Sequence, residues 1–204
     1  ELMREAYAGK VLRVDLTKEK ATTEPLPSED VLKKYVGAWG LGLKTLYDQL
    51  PLGISPLDPR NMLIFTNGPL TGSGTPSGNN TTLVTLNADT GYTAGRAHSH
   101  GFWGPNLRWA GYDQLIIQGA AKRPVYLWIH DSEVEFRDAA RLKGKDTHET
   151  EDLVKAELGE GRASVAAIGP AGENMCAGAL IENDKNHTFA HGGGSAIKLT
   201  NSVV

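Results

Sequence analysis

The chain contains many short segments typical of β-strands but only two long segments typical of helices, and the two kinds do not alternate regularly. Runs of alternating or continuous apolar residues predict strands. These runs span residues 10–16, 21–26, 61–66, 81–86, 113–118, 125–130, 133–137, 164–168 and 175–182, with a last short strand near 196–204. Regular alternation of strands and helices would predict a parallel sheet. Its absence predicts an α+β fold with largely antiparallel sheets.

The second predicted helix is the one that the sequence marks more clearly. It runs from about Asp146 to Leu158, because Asp146 can cap the first turn with Glu149 as its capping-box partner. Gly159 can then end the helix in a left-handed conformation.

The first predicted helix begins near Ser28 and is interrupted by Gly37, Gly40 and Gly42. A glycine inside a helix costs about 1 kcal/mol relative to alanine. The three glycines therefore predict either a broken helix or a close packing of its backbone. Their G-x-x-G-x-G spacing is a weak dinucleotide signal, because it follows a helix and not a strand.

Charge and cysteine content exclude several classes of protein. The net charge of −3 gives no support for nucleic-acid binding. No apolar run reaches transmembrane length, and the polar first residues do not resemble a secretion signal, so we expect a cytoplasmic protein without a membrane span. The single cysteine, Cys176, excludes an iron–sulfur site built from this chain, and its apolar surroundings predict an inert core residue.

The segment from Gly95 to Asp113, GRAHSHGFWGPNLRWAGYD, has the composition of a loop-to-helix platform. Its glycines allow a close approach of the main chain to a ligand, and the N–H groups of a short helical turn favour anions. We therefore expect a polar, flat and phosphorylated ligand here, with Trp103 as the tryptophan that faces it. A buried aromatic turn explains the same residues, and both interpretations stay open. Asp113 is expected to turn the backbone and not to act as an acid.

Two glycine-rich loops carry histidines, and their spacing gives a second hypothesis. His98 and His100 lie in one loop and His187 and His191 in the other, residues 183–195. Histidine is a common metal ligand, so a mononuclear metal site is conceivable. The absence of a neighbouring carboxylate or cysteine instead favours polar loop residues. A third long loop, residues 67–80, could hold an anion through its N–H groups, although it lacks the ending of a P-loop.

Several longer segments together carry a family resemblance. They are GKVLRVDLT from Gly9, residues 37–74, GFWGPNLRWAGYDQLIIQGAAKRPVYLWI from Gly101, RLKGKDTHETED from Arg141, VAAIGPAGEN from Val165 and HGGG at 191–194. The chain resembles the N-terminal domain of the aldehyde ferredoxin oxidoreductase family, the tungsten-pterin enzymes, over nearly all of its length. The resemblance implies one cofactor-binding domain, residues 1–204, shaped as a saddle of two largely antiparallel β-sheets with a few helices.

The same resemblance implies a tungsten- or molybdenum-bis-pterin cofactor whose phosphates are bridged by magnesium. The loops that would hold it match residues 78–82, 97–101 and 188–194. The implied cofactor-binding residues are Asn80, His98, Ser99, His100, Gly101, Ala190, His191, Gly192 and Gly193. The iron–sulfur cysteines and catalytic groups of the family lie in later domains, so no catalytic residue and no cluster are expected in this chain.

The chain departs from the family pattern at its basic residues. Family members usually carry arginines where this chain has Asn79-Asn80-Thr81 and Phe189-Ala190-His191. An asparagine or a neutral histidine does not replace the bidentate contact of an arginine with a phosphate.

Two hypotheses about function follow from the resemblance and its departures. The first is a pterin-binding domain or subunit of an oxidoreductase that acts on aldehydes or related oxo substrates with ferredoxin-type electron transfer. Other domains or a partner subunit would carry the iron–sulfur cluster, and the chain alone would be inactive; a homo-oligomer is also allowed. The alternative is a structural or assembly protein that kept the fold and lost the cofactor. A generic phosphate- or nucleotide-binding module is a third, weaker hypothesis.

Overall fold

The structure is a computed structural model, and it describes residues 4–176 and 178–189. The strands are β1 (Lys10–Asp15), β2 (Lys20–Pro25), β3 (Leu63–Asn67), β4 (Thr81–Leu86), β5 (Ala94–Ser99), β6 (Gln114–Gln118), β7 (Val125–His130), β8 (Glu133–Asp138), β9 (Ala166–Ile168), β10 (Ile181–Asn183) and β11 (His187–Phe189). The helices are α1 (Glu29–Tyr35), α2 (Ala38–Gln49), α3 (Trp103–Trp109), α4 (Thr147–Leu158) and α5 (Pro170–Glu173). Two short 3-10 helices span Arg4–Ala6 and Ala140–Leu142.

The strands form an α+β fold with mainly antiparallel sheets, as the sequence predicts. The largest sheet has six strands in the order β2-β1-β6-β3-β4-β5. All of its neighbouring strands are antiparallel except β1 and β6, which are parallel. A three-stranded sheet, β11-β10-β9, and the hairpin β7-β8 complete the described part, so it contains three sheets where the resemblance implies two.

The central strands β3 and β4 are buried along their whole length because both faces of the large sheet are covered. On one face, Ile64 packs with Leu46 of α2. On the other face, Phe65 packs with Trp103 of α3 and with apolar residues of the three-stranded sheet. Strands that are buried on both faces do not alternate regularly between apolar and polar residues. The sequences of β3 (LIFTN) and β4 (TTLVTL) show no such alternation, and their threonines and Asn67 are buried as well.

The first predicted helix shows both outcomes that its glycines allowed, a break in the helix and a close packing of its backbone. The helix is broken, since α1 ends at Tyr35 and Val36 takes a positive φ of 61° before α2 begins. Gly42 then provides close packing inside α2. A Cβ on Gly42 would lie 2.7 Å from Val84 Cγ2 on β4.

Helix α4 has the ends that the sequence predicts. The Asp146 side chain accepts a hydrogen bond from the Glu149 N–H at 2.7 Å, and the Glu149 side chain accepts one from the Asp146 N–H. Gly159 ends the helix with left-handed backbone angles. The helix is therefore specified by residues at or next to its own ends.

Other local predictions were wrong. Residues 95–99, predicted to lie in a loop, belong to β5, which pairs along its whole length with β4. The strand predicted for 175–182 is reduced to β10, since Met175 has a φ of 54° and starts a turn. Cys176 is exposed and is not the core residue that we expected. The strand predicted near 196–204 lies outside the described residues.

Candidate functional site

Two of the three segments implied to hold a cofactor meet at one end of the six-stranded sheet. Strand β4 begins at Thr81, which lies opposite Ser99 at the end of β5. Asn80 precedes β4, and His100 and Gly101 follow β5, so all of these residues lie at the same sheet end. The described part of the third segment begins in β11, which contacts β5.

The side chains of His98 and Ser99 point to opposite faces of the sheet, because successive residues of a strand alternate. His98 is half-buried, and its Nδ1 lies 3.0 Å from the Thr82 hydroxyl. Arg96 lies on the His98 face, with its guanidinium carbon 5.5 Å from the centre of the Trp39 ring. A ligand on one face of the sheet can therefore meet only one of these two side chains, although a ligand at the sheet end can meet the main chain of both.

Ser99 is tied to a residue that the sequence did not single out. Its side chain is 2% exposed and donates a hydrogen bond to Asn183 Oδ1. The other end of the Asn183 amide, Nδ2, donates to the main-chain oxygen of His100 at 2.9 Å. Nothing local marks Asn183, because its two partners are more than eighty positions earlier in the chain.

Gly101 is required by the protein around it. Its φ is +85°, and a Cβ at this position would lie 2.7 Å from His187 Cδ2 and 2.9 Å from Asp184 Oδ2. The next residue, Phe102, donates its N–H to Asp184 Oδ2 at 2.9 Å. The side of Gly101 on which a Cβ would stand is thus filled by side chains, and a ligand can approach the main chain only from its other sides.

The loop before β4 fixes the main chain of Asn80. Thr71 is 2% exposed; its hydroxyl accepts a hydrogen bond from the Gly68 N–H at 3.2 Å and donates one to the Asn80 oxygen at 2.7 Å. The Asn80 residue itself is half-buried. The main chain of Asn80 is therefore held by a hydrogen bond, and its side chain carries no charge.

The start of α3 packs against the start of β4 without space for a side chain. A Cβ on Gly104 would lie 1.7 Å from the Thr81 hydroxyl oxygen. That hydroxyl donates to Asn67 Oδ1 at 2.9 Å, and Asn67 Nδ2 donates to the Gly104 oxygen at 2.9 Å. Asn67 and Thr81 are 1% and 2% exposed, so this network is buried and joins β3, β4 and α3.

Trp103, which the sequence predicts to face a ligand, is mostly packed against other aromatic rings, although it also lines the cleft described in the next paragraph. Trp103 is 8% exposed, and its ring centre lies 4.5 Å from that of Phe65 and 6.2 Å from that of Phe189. The exposed tryptophan of α3 is Trp109, whose Nε1 donates to the Gly72 oxygen at 3.1 Å. The buried aromatic turn that the sequence also allowed is thus present at Trp103, whereas Phe102 and Trp109 are exposed.

An open cleft of about 790 Å³ lies beside this site. It runs between α3, the hairpin β7-β8, helix α4 and residues 160–166. Phe102, which is 60% exposed, and Asp184 line it, so the cleft borders the sheet end described above. The sequence does not indicate this cleft, because its walls come from four separate parts of the chain, within residues 102–110, 126–131 and 151–166 and at Asp184.

Asp113 holds the N-terminal part of the chain through contacts with residues more than one hundred positions earlier, whereas the sequence predicts only a local turn. Its two carboxylate oxygens accept hydrogen bonds from the N–H groups of Ala8 at 3.0 Å and Gly9 at 2.7 Å. Burial raises the pKa of Asp113 above its ordinary value, although these N–H groups and the positive charge of Arg108 oppose the rise. The side chain has a structural partner at each oxygen.

The remaining implied site residues are Ala190, His191, Gly192 and Gly193, and all four lie outside the described residues. Over residues 4–176 and 178–189, no group of three or more histidine, cysteine or acidic side chains is arranged to hold a metal ion. None of the helices in these ranges has the length and apolar character that a bilayer crossing requires.

Comparison with known proteins identifies the family. Residues 11–200 match the family described as aldehyde ferredoxin oxidoreductase, N-terminal domain. The chain is 41% identical over 191 residues to a tungsten-containing aldehyde ferredoxin oxidoreductase of Pyrococcus abyssi, covering 94% of this chain and 31% of the relative. It is 38% identical over 209 residues to the WOR-like subunit of an aliphatic sulfonate oxidoreductase of Pyrococcus furiosus, covering 94% of this chain and 32% of that subunit.

A solved structure has the same fold. In the active site complex BamBC of benzoyl coenzyme A reductase, determined with 1,5-dienoyl-CoA, one chain superposes with a TM-score of 0.91 at 38% identity. The match covers 97% of this chain and 30% of that chain. The chain therefore belongs to the aldehyde ferredoxin oxidoreductase family and corresponds to its N-terminal domain, and it spans about a third of the length of these relatives.

Proposed function

We propose that this chain, as a member of that family, is the part of a tungsten- or molybdenum-dependent oxidoreductase that holds a bis-pterin cofactor. The residues that would hold it are Asn80 and the segment His98–Gly101, together with residues 190–193. The observation that carries the proposal is the meeting of the first two segments at one sheet end, where Thr81 lies opposite Ser99. Relatives at about 40% identity are named as tungsten-containing enzymes, which supports the same cofactor here.

The donors at this sheet end suit the polar parts of such a cofactor. The main chain around His100, the imidazole of His98 and the amide of Asn80 can hydrogen-bond a pterin ring or a phosphate oxygen. No arginine or lysine occurs in residues 78–82, 97–101 or 188–194. We therefore infer that within these three segments neutral donors, and not guanidinium groups, would hold the phosphates together with magnesium. When bound, the cofactor supplies the redox chemistry, and this chain orients it.

The rest of the activity belongs to parts of the protein beyond this chain. The relatives are three times longer, so we propose that other domains or a partner subunit supply the iron–sulfur cluster and the catalytic groups. Relatives of similar identity are named for an aldehyde, an aliphatic sulfonate and benzoyl coenzyme A. We infer that the remaining domains select the substrate, that this chain alone oxidises no aldehyde, and that the assembly is cytoplasmic.

The test is a metal and pterin analysis of the protein purified with its natural partners under anaerobic conditions. We expect tungsten or molybdenum and two pterins per chain, the pterins measured by fluorescence after oxidation. Addition of magnesium chelators should accelerate cofactor loss. Absence of both the metal and the pterin would reject the proposal.

A structural or assembly protein without cofactor is the second candidate. The observations that favour it are the absence of arginine and lysine in the three segments and the filled space beside Gly101. It predicts a colourless protein that associates with its partners with no metal present. Stoichiometric pterin in the purified assembly would eliminate it.

A further inference from the structure

The turn between β10 and β11 is bonded to the residues that follow β5. Asn183 accepts a hydrogen bond from the Ser99 hydroxyl and donates one to the His100 oxygen. Asp184 Oδ2 accepts the Phe102 N–H at 2.9 Å. We call these two residues, Asn183 and Asp184, the brace. Three of the four residues from 99 to 102, namely Ser99, His100 and Phe102, are thereby bonded to the end of β10 and the turn that follows it.

The brace is internally fixed. Asn183 is 0% exposed, and its Nδ2 also donates to Asp184 Oδ2 at 3.1 Å. The second oxygen of Asp184 accepts a hydrogen bond from the Ser164 hydroxyl. Because the Asn183 amide has a donor partner on one side and acceptor partners on the other, it cannot turn over without breaking bonds at both ends.

The backbone of the turn adds a further constraint. Asp184 and Lys185 have φ values of 52° and 57°, a conformation that aspartate and asparagine tolerate better than most residues. Gly101, with its φ of +85°, packs against Asp184 and His187 with no room for a Cβ. The main chain of residues 100–102 therefore has one position relative to the turn.

We propose that Asn183 and Asp184 are positioning residues for the cofactor and act through the main chain of His100 and Gly101. This inference rests on the proposed function. Holding a binding segment in its bound conformation lowers the ordering cost of binding, so affinity and residence time rise without any new contact to the ligand. The brace would thus retain the cofactor while its own side chains bond only to protein.

The test uses the complete protein with its partner domains and compares Asn183→Asp, Asp184→Asn and the control Asp152→Asn. Asn183→Asp keeps an acceptor for Ser99 but loses the donor to His100. Asp184→Asn keeps a residue that tolerates the turn but loses one acceptor. Asp152 is an acidic residue of α4 that pairs with Lys185 at the same turn and touches neither Ser99 nor His100.

Two quantities are measured for each protein. Hydrogen exchange followed by mass spectrometry reports the protection of the Phe102 amide. The rate of pterin release after dilution, followed by fluorescence well below the melting temperature, reports cofactor retention. We expect Asn183→Asp to accelerate release about tenfold and Asp184→Asn about threefold, as the loss of one hydrogen bond would do. The control should match the wild type in both quantities.

A pH series separates positioning from a general loss of stability. The aspartate in Asn183→Asp would lie beside Asp184, so its pKa should rise and the protonated form, which can donate to His100 again, should be populated as the pH falls from about 7.5 to about 5.5. Release from this variant should then approach the wild-type rate at the same pH. A variant damaged only in its overall stability would show no such recovery.

Each outcome decides the inference. Faster exchange and faster release together support it. Faster exchange with unchanged release overturns the positioning role and leaves the proposed function intact, and unchanged exchange overturns the brace itself. A wild-type assembly without pterin overturns the proposed function and this inference with it. If Asn183→Asp does not fold, Asp184→Asn alone gives the same decision.

Discussion

Helix α4 and the segment from β5 into α3 are held in place by contacts of very different range. The capping box of α4 joins Asp146 to Glu149, three positions away, and Gly159 ends the same helix. The β5–α3 segment depends on Asn67, 37 positions before Gly104, and on Asn183, 84 positions after Ser99.

This difference teaches where substitutions should be costly. A local cap stabilises one helix end that is also held by packing, so its loss removes about one interaction. A buried residue that joins three elements is not replaced by other contacts in this way. Its loss leaves several groups without partners in a place that water does not reach. The candidate cofactor site lies in the second kind of region.

Gly104→Ala should have the largest effect on stability. The new methyl group would lie 1.7 Å from the Thr81 hydroxyl oxygen, so α3 or β4 must move and the bond from Thr81 to Asn67 must break. We expect the free energy of unfolding to fall by about 3 kcal/mol or more, measured by urea denaturation.

Two further variants check the cause of that loss. Gly161→Ala is the control, because a Cβ there meets no atom within 4 Å, and it should change stability by less than about 0.5 kcal/mol. Thr81→Ala removes the clashing oxygen, so Gly104→Ala should cost less in the Thr81→Ala background than in the wild type. If the two losses in the free energy of unfolding simply added up, the contact between the new methyl group and the Thr81 oxygen would not be the cause of the Gly104→Ala effect.

Asn67→Ala should have the next largest effect. It leaves the Gly104 oxygen and the Thr81 hydroxyl without their buried partner. We expect a loss of about 2 kcal/mol in the free energy of unfolding, together with faster hydrogen exchange in α3. The exposed Asn186, changed to alanine, is the matched control and should stay within about 0.5 kcal/mol of the wild type. Equal losses for the two asparagines would contradict a special role of the network.

The same difference in range explains how much of the fold could be predicted from the sequence. The capping residues of α4 and the bounds of β7 could be predicted, because a cap or an alternating run is visible within a few residues. Strand β5 could not, since Gly95 and His98 have little strand preference and become a strand through pairing with β4.

The candidate site shows the same limit. The resemblance grouped Asn80 with His98–Gly101, and the structure brings these residues to one sheet end. It did not identify Asn183 or Asp184, because their role depends on which remote main-chain atoms they meet. Trp103 was assigned to a ligand on composition alone, and only its packing against Phe65 shows that it belongs to the core.

Asp146→Ala should have a smaller effect and one confined to α4. The substitution removes the side-chain acceptor of the Glu149 N–H, which should cost about 1 kcal/mol. Exchange should accelerate in the first turn of α4 and stay unchanged at Phe102. Asp146→Asn retains a capping oxygen and should lose only a few tenths of a kcal/mol. A loss as large as that of Asn67→Ala would erase the contrast between the two regions.

The smallest effect should appear as a pH dependence of stability at Asp113. This residue follows α3 and binds the N–H groups of Ala8 and Gly9. Its pKa is raised in the folded protein, so the folded state takes up a proton at a higher pH than the unfolded state does. The resulting stabilisation is fully present below the unfolded pKa and is lost as the pH rises through the folded pKa. As the pH falls from 7 to about 4, the free energy of unfolding of the wild type should therefore increase relative to that of Asp113→Asn, measured by urea denaturation at each pH.

Asp58 provides a control of the opposite sign. Its pKa is lowered to about 2 by hydrogen bonds from Arg60. Its contribution is therefore present above its unfolded pKa of 3.8 and is lost only as the pH falls toward 2. The difference between the wild type and Asp58→Asn should stay nearly constant from pH 7 to about pH 4. If Asp113→Asn behaved in the same way, burial would not be what sets the Asp113 pKa. Its hydrogen bonds with Ala8 and Gly9 would then outweigh burial.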